Sequence, residues 1–220
     1  MINIDNPTVK ICGLSSHASI QTAIDSGAAY LGFIFFPKSP RNVTPEQAAD
    51  LAEQTGFTPT VAVTVNAEES FLDEIVEVMH PTHLQLHGSE SPDRVVAVRQ
   101  LYGLPVIKAL SVSVKEDLAK ITPYHGATDM LLLDAKPPKG ADLPGGNGVT
   151  FDWTVLDGLQ SDTPILLSGG LDLDNAGLAM DLVRDSTNAI IGLDVSSGVE
   201  SAPGVKDDAK IAAFLKACRD

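Results

Sequence analysis

The chain reads as a single-domain α/β protein over residues 1–220, folded as a (β/α)8 barrel. Three observations predict this. Short β-branched and apolar runs, each of strand length, alternate with segments of helical period. The runs number eight, the count of a closed barrel. No G-x-G-x-x-G follows the first of them, where a dinucleotide-binding open sheet carries it. An open doubly wound sheet stays as the alternative closure of the same alternation.

The elements follow in order. The first run, Thr8–Cys12 (TVKIC), alternates so that Val9 and Ile11 take one face and Lys10 and Cys12 the other. Residues 16–26 form a helix stopped by Gly27, a C-cap signal. After the second run, Tyr30–Phe35 (YLGFIF), residues 44–56 open a helix with Thr44 as N-cap, Pro45 at the first helical position and Gln47 completing a capping box. The third run is 60–65 (TVAVTV). In the fourth, 83–87 (HLQLH), Leu84 and Leu86 share one face while His83, Gln85 and His87 share the other. Ser91-Pro92 starts the next helix in the same manner as Thr44-Pro45. The fifth and sixth runs are 105–109 (PVIKA) and 130–134 (MLLLD), with Leu132 and Asp134 on one face. Residues 136–149 form the longest loop, and connections of that length are more often functional than decorative. Runs 164–168 (PILLS) and 189–195 (AIIGLDV) complete the set. Residues 205–219 then make a last amphipathic helix, with Ile211, Phe214, Leu215 and Cys218 at three- and four-residue spacing.

Composition narrows the partners. Acidic residues number 29 against 15 basic, a formal net charge of −14, which disfavours a surface built for a nucleic-acid backbone or an anionic membrane. Hydrophobic residues at 44% against 20% charged supply a core. The N-terminus has no basic region leading into an apolar one, and no run of about 18 apolar residues exists. Cys12 and Cys218 stand near opposite ends of the chain, a spacing suited to reduced thiols rather than a disulfide framework. The expectation is a cytoplasmic protein, monomeric or homodimeric, with a small-molecule partner.

In a barrel, functional groups gather at the C-terminal ends of the strands. Those ends are Cys12, Phe36, Asn66, His87, Leu110, Asp134, Ser168 and Asp194. Gly169-Gly170 follow the seventh run and Ser196-Ser197-Gly198 the eighth, the two turns where barrels habitually bind phosphate through backbone N–H groups. Gly146, within Gly145-Gly146-Asn147-Gly148, either adds N–H groups or only loosens its loop. Cys12 is either a small buried apolar group or, beside Lys10, a base with a favoured thiolate. Asp134 ends an apolar strand, where desolvation favours the neutral form that suits a general acid. Arg41, in Ser39-Pro40-Arg41, is a natural partner for a substrate carboxylate or else a solvated loop cation. His87 and Asp194 read as pocket hydrogen-bonding groups or as satisfied strand-end residues, and His17, His80 and His125 as surface or loop groups. No His/Asp/Glu cluster has metal-ligand spacing. A cysteine base facing a carboxylic acid suits proton shuttling in an isomerisation, and the absence of G-x-S-x-G argues against a serine hydrolase.

With these residues in view, the chain closely resembles the phosphoribosylanthranilate isomerases of tryptophan biosynthesis. The blocks are VKICGL from Val9, LGFIFFPKSPR from Leu31, QLHG from Gln85, LLLDA from Leu131, GGNG and FDW between Gly145 and Trp153, LSGGL from Leu167, and GLDVSSGVE and PGVKD between Gly192 and Asp207. They run in the family's order over all eight strand ends. The resemblance implies a cofactor-free Amadori rearrangement of N-(5-phosphoribosyl)anthranilate to 1-(2-carboxyphenylamino)-1-deoxyribulose 5-phosphate. It makes Asp134 the general acid that opens the furanose ring and Cys12 the general base that takes the C2 proton. It puts Arg41 on the anthranilate carboxylate, His87 and Asp194 in the pocket, and Gly170 and Ser197 with their neighbours on the phosphate. Three positions depart from the family pattern: Ser168 stands where alanine is usual, Asn147 where threonine is common, and Thr64 where an aromatic often precedes Val-Asn. Two other readings remain, a sugar isomerase that also serves the related histidine-pathway aldose and a catalytically silent phosphometabolite-binding barrel. Cys12 at the first strand end argues against the former, whose chemistry pairs two aspartates, and retention of both Cys12 and Asp134 argues against the latter.

Overall fold

A computed structural model describes residues 8–135, 153–156, 158–185 and 190–220. Eight parallel strands close into a barrel in sequence order: β1 Thr8–Cys12, β2 Tyr30–Phe35, β3 Thr60–Thr64, β4 His83–Leu86, β5 Val106–Val112, β6 Met130–Ala135, β7 Ile165–Leu167 and β8 Ile190–Val195. The seam is closed by β1 on β8, with Lys10 opposite Asp194. Helices α1 His17–Asp25, α2 Pro45–Ala52, α3 Glu69–Met79, α4 Pro92–Tyr102, α5 Ala176–Asp185 and α6 Asp208–Arg219 cover the outside.

The caps anticipated from sequence form. Thr44 and Gln47 exchange backbone bonds as a capping box, Pro45 is the first helical residue, and Ser91 Oγ accepts from Arg94 N ahead of α4. Other boundaries differ. The fifth strand runs on to Val112, so Leu110 is interior to it rather than its end. The expected helix–strand alternation is incomplete: β5 is followed by 3₁₀ turns at Lys115–Lys120 and Thr122–Tyr124, where Pro123 cannot donate to an α-helical ladder. Trp153–Leu156 is likewise a 3₁₀ turn. The final helix starts at Asp208, capped by the Asp207 carboxylate, because Val205–Lys206 (β10) pairs antiparallel with Glu200–Ala202 (β9) as a hairpin.

Alternation divides the core as the sequence suggests. Val9, Ile11, Leu84, Leu86, Leu131 and Leu133 face outward into the layer shared with the helices. Inside, Val61, Val63, Ile107, Ala109, Leu132 and Leu166 fill the barrel beneath Cys12. Gly32 lies opposite Cys12 on β2, and a Cβ there would come within 3.0 Å of Cys12 Sγ and 3.1 Å of Lys10 Nζ. The missing side chain is what gives Lys10 and Cys12 their place in the interior. Among the described residues no helix is long and apolar enough to cross a membrane.

Candidate active site

The C-terminal ends of the strands surround a cleft open to solvent. It is lined by Cys12 from β1, Arg41 from the loop after β2, His87 after β4, Asp134 from β6, Gly169 and Gly170 after β7, and Asp194 and Ser197 at the end of β8. The cleft therefore brings together eight residues nominated separately, four as strand ends and four from the turns and loop that follow strands. Gly198 stands behind the lining instead: a Cβ at that position would sit 1.9 Å from the Leu171 carbonyl oxygen, so its bareness lets the turns after β7 and β8 pack together. Gly146 lies outside the described residues.

Strand β1 delivers two groups to the interior. Lys10 is wholly buried and its Nζ donates to Asp194 Oδ1 at 2.6 Å, while Ser168 Oγ donates to Asp194 Oδ2 at 3.0 Å. The Ser168 hydroxyl thus occupies the second oxygen of this carboxylate. Burial opposes the Lys10 ammonium, but Asp194 and Cys12 outweigh it and its pKa lies above the ordinary lysine value. At Cys12 the balance falls the other way from the sequence expectation of a favoured thiolate. Burial pushes the thiol up, and the pull of Lys10 only partly offsets it. Lys10 is what keeps the thiolate within reach in this apolar setting.

Asp134 is buried, yet it is not the unpaired carboxylate expected of an apolar strand end. His87 Nε2 lies 3.3 Å from its Oδ2, and the other ring nitrogen, Nδ1, is 2.9 Å from Gln85 Nε2. Gln85 and His87, two residues apart on β4 and just beyond it, therefore form a short chain leading to the acid. The loop that carries His87 is fixed from behind. Lys108, on the outer face of β5, donates to the carbonyls of Leu86 (3.0 Å) and Gly88 (2.7 Å) and to Glu90 Oε2 (2.7 Å). Glu90 in turn accepts from the backbone of Gly88 and Asn66.

Arg41 is buried against the cleft rather than solvated. Its Nε and Nη2 donate side-on to Glu200 Oε1 and Oε2, at 2.7 and 2.8 Å. Glu200 also binds Lys206 Nζ at 2.8 Å, and Lys206 reaches the carbonyl of Ser196 at 2.9 Å. Ser196 Oγ donates to the Cys12 carbonyl. Glu200, Lys206, Gln85 and Lys108 were not singled out in the sequence by their types. Glu200 and Lys206 lie within the GLDVSSGVE and PGVKD blocks, and the alternation of Gln85 with Leu84 and Leu86 is the available signal for the third.

At the turn after β7, Gly169 and Gly170 both take positive φ, 92° and 64°. Asn175 Nδ2 donates to the Gly170 carbonyl and ties that turn to the start of α5. Consecutive residues of this kind can aim backbone N–H groups into a common concavity that suits an anion.

A family profile described as N-(5'phosphoribosyl)anthranilate (PRA) isomerase matches residues 9–217. The N-(5'-phosphoribosyl)anthranilate isomerase of Agrobacterium fabrum is 53% identical over 215 residues, 97% of this chain and 96% of its own length. That of Sinorhizobium medicae is 54% identical over 212 residues, covering 96% of each. Among solved structures, phosphoribosyl anthranilate isomerase from Thermotoga maritima superposes with a TM-score of 0.85 at 33% identity, covering 97% of this chain and 98% of that one. Another phosphoribosyl anthranilate isomerase, solved in complex with reduced 1-(o-carboxyphenylamino)-1-deoxyribulose 5-phosphate, superposes at 0.82 with 31% identity over 97% and 98% of the two chains. Barrel, cleft and sequence agree, and the chain belongs to the N-(5'-phosphoribosyl)anthranilate isomerase family of tryptophan biosynthesis.

Proposed function

We propose that the cleft carries out the family's Amadori rearrangement by moving protons with Asp134 and Cys12, on a substrate held at its two anionic ends. Asp134 gives a proton to the furanose ring oxygen as the C1–O bond breaks, and the anthranilate nitrogen lone pair forms the C1=N bond of a Schiff base. The Cys12 thiolate then takes the C2 proton, the electron pair moves into a C1=C2 bond, and the nitrogen becomes neutral in an enolamine. Loss of the C2 hydroxyl proton and protonation at C1 give the ketone. No electrons enter or leave. One proton passes from Cys12 back to Asp134 between turnovers.

The observation that carries this reading is that Cys12 and Asp134, from strands three apart around the ring, line one cleft together with Arg41 and the two glycine-bearing turns. Arg41 takes the anthranilate carboxylate. The backbone of Gly169, Gly170 and Ser197 takes the phosphate, with Gly198 supporting and Gly146 contributing from the preceding loop. His87 and Asp194 complete the pocket, His87 beside the acid and Asp194 beside the base. The working context is a cytoplasmic enzyme acting on a phosphorylated small molecule without a cofactor, in keeping with the two free thiols.

The test uses the purified chain and freshly generated phosphoribosylanthranilate, followed by loss of anthranilate-type fluorescence. Cys12→Ser and Asp134→Asn are each expected to lower kcat by at least roughly 10²-fold, the ordinary scale for removing a positioned acid or base. Turnover close to the unaltered enzyme in either variant removes that residue from its role.

A further inference from the structure

Arginine has five N–H donors, and the way a protein uses some of them decides where the others point. Glu200 takes the Nε edge of Arg41, one bond from Nε and one from Nη2. Among the described residues it is the guanidinium's hydrogen-bonding partner. That leaves the far edge, both donors of Nη1 and one of Nη2, and Arg41 lines the cleft.

Glu200 is itself held from several sides. Gly204 N and Lys206 Nζ donate to its carboxylate, and Lys210 Nζ donates to its backbone carbonyl at 2.7 Å. It opens the β9–β10 hairpin, whose turn rests on the loop that carries Arg41. Gly204 has φ 82°, and a Cβ there would lie 2.4 Å from the Pro40 carbonyl oxygen. From the other side the Arg41 stem lies over Gly13, where a Cβ would come within 2.6 Å of Arg41 Cδ. The side chain is thus fixed along its stem and at its Nε edge. The charges have the same sense: one carboxylate faces two cations, Arg41 and Lys206, so the cluster lacks one negative charge.

We propose that Glu200 is a positioning residue for carboxylate recognition, holding Arg41 so that the Nη1/Nη2 edge meets the substrate's aromatic carboxylate end-on. The proposal rests on the reading that Arg41 takes that carboxylate. The hairpin then acts as a strap that orders the guanidinium during folding rather than during binding, which is how preorganisation improves affinity.

The test compares two stable ligands by calorimetry: the reduced product analogue, and the same compound without its ring carboxylate. The ratio of the two Kd values measures carboxylate recognition alone. Arg41→Met is expected to abolish the ratio, and if it does not, the Arg41 reading fails whatever Glu200 does. Glu200→Gln is expected to reduce the ratio by about tenfold, the scale of one hydrogen bond to a charged group, while the Kd for the ligand without the carboxylate stays within about twofold. If Arg41→Met loses the ratio and Glu200→Gln keeps it, or weakens both ligands equally, the positioning role is overturned and the Arg41 reading stands. A second measurement needs no variant. In ¹H–¹⁵N spectra of the unliganded wild type, the Arg41 Nε–H is expected to be protected from exchange and to stay in place when the analogue binds, with only the Nη signals moving. A freely exchanging Nε–H before binding overturns the proposal.

Discussion

Lys10 Nζ lies 2.6 Å from Asp194 Oδ1, across the seam where β1 and β8 close the barrel. The two are register partners on adjacent strands, so both side chains point inward at one level, and the ammonium is shared between Asp194 and the Cys12 thiol. Replacing Lys10 by Met leaves burial and the Asp194 charge opposed only by the weaker pull of Lys206 at Cys12, and the thiol pKa rises further. Each further pK unit removes about tenfold of the thiolate at neutral pH. The rise of kcat with pH in Lys10→Met therefore moves to higher pH, with activity partly restored in alkaline buffer. The ultraviolet thiolate titration moves with it. A kcat profile superimposable on the wild type would sink the role assigned to Lys10.

Lys108 and Glu90 form a second buried pair, with side chains only 1% and 5% exposed. Burial lowers the Lys108 pKa and Glu90 works against that. Lys108→Met strands the Glu90 carboxylate, and breaking such a pair from one side costs about 3–5 kcal/mol. Denaturant titration is expected to show a loss on that scale. The Lys108→Met/Glu90→Gln double variant should recover part of it, because the uncompensated charge is gone. Additive losses in the double variant would count against this account.

Thr64 lies inside the layer between barrel and helices. Its hydroxyl is buried with no hydrogen-bond partner among the described residues. An unsatisfied polar group of this kind costs about 1–3 kcal/mol. Thr64→Val keeps the shape and removes the hydroxyl, so it should stabilise the fold by about 1 kcal/mol and leave kcat unchanged. A lower Tm would show that the hydroxyl has a partner in solution.

Cys218, on the buried face of α6, gives a pH dependence that has nothing to do with catalysis. Burial pushes its thiol from 9.0 up to about 12, against the weaker pull of Arg184 and Arg219. Below pH 9 the thiol is neutral in both states and adds no slope. Between pH 9 and about 12 the unfolded chain binds fewer protons than the folded one, so stability falls as pH rises. Cys218→Ala should flatten that decline by about 1.4 kcal/mol per pH unit. Parallel curves for the two proteins would show that Cys218 does not titrate in this window.

How much of this was legible in the chain depended on the kind of signal. Strands such as Thr8–Cys12 and Tyr30–Phe35 were readable to the residue, because their alternation is local and each ends in a turn. Helix α3 carried less: its N-cap is Glu68 with no side-chain capping bond, so the usual start signal was missing. The β9–β10 hairpin was hidden because residues 205–219 read as one helix, and pairing of Val205 and Lys206 with Glu200–Ala202 overrode its first turn. For the site, position on a strand end was sufficient to nominate Cys12, Asp134 and Asp194. What an individual residue type could not convey was the partner. Arg41 and Glu200 lie 159 positions apart, and a carboxylate in a GVE tripeptide carries no mark of the guanidinium it meets. The same holds for the Cys12 thiol, where a neighbouring lysine argued for the thiolate and only the depth of burial reversed the balance.

The seam has a temporal meaning as well as a spatial one. Lys10 and Asp194 are 184 positions apart, and the Arg41–Glu200 contact is nearly as remote, so both join the first quarter of the chain to its last. Contacts of such separation carry the largest loop-closure cost and form late. A chain that has formed β1 to β7 already holds Cys12, Arg41 and Asp134, yet has neither carboxylate that keeps the lysine and the arginine in place. During refolding, activity should therefore lag behind the burial of the Trp153 side chain, and its return marks the moment the ring shuts.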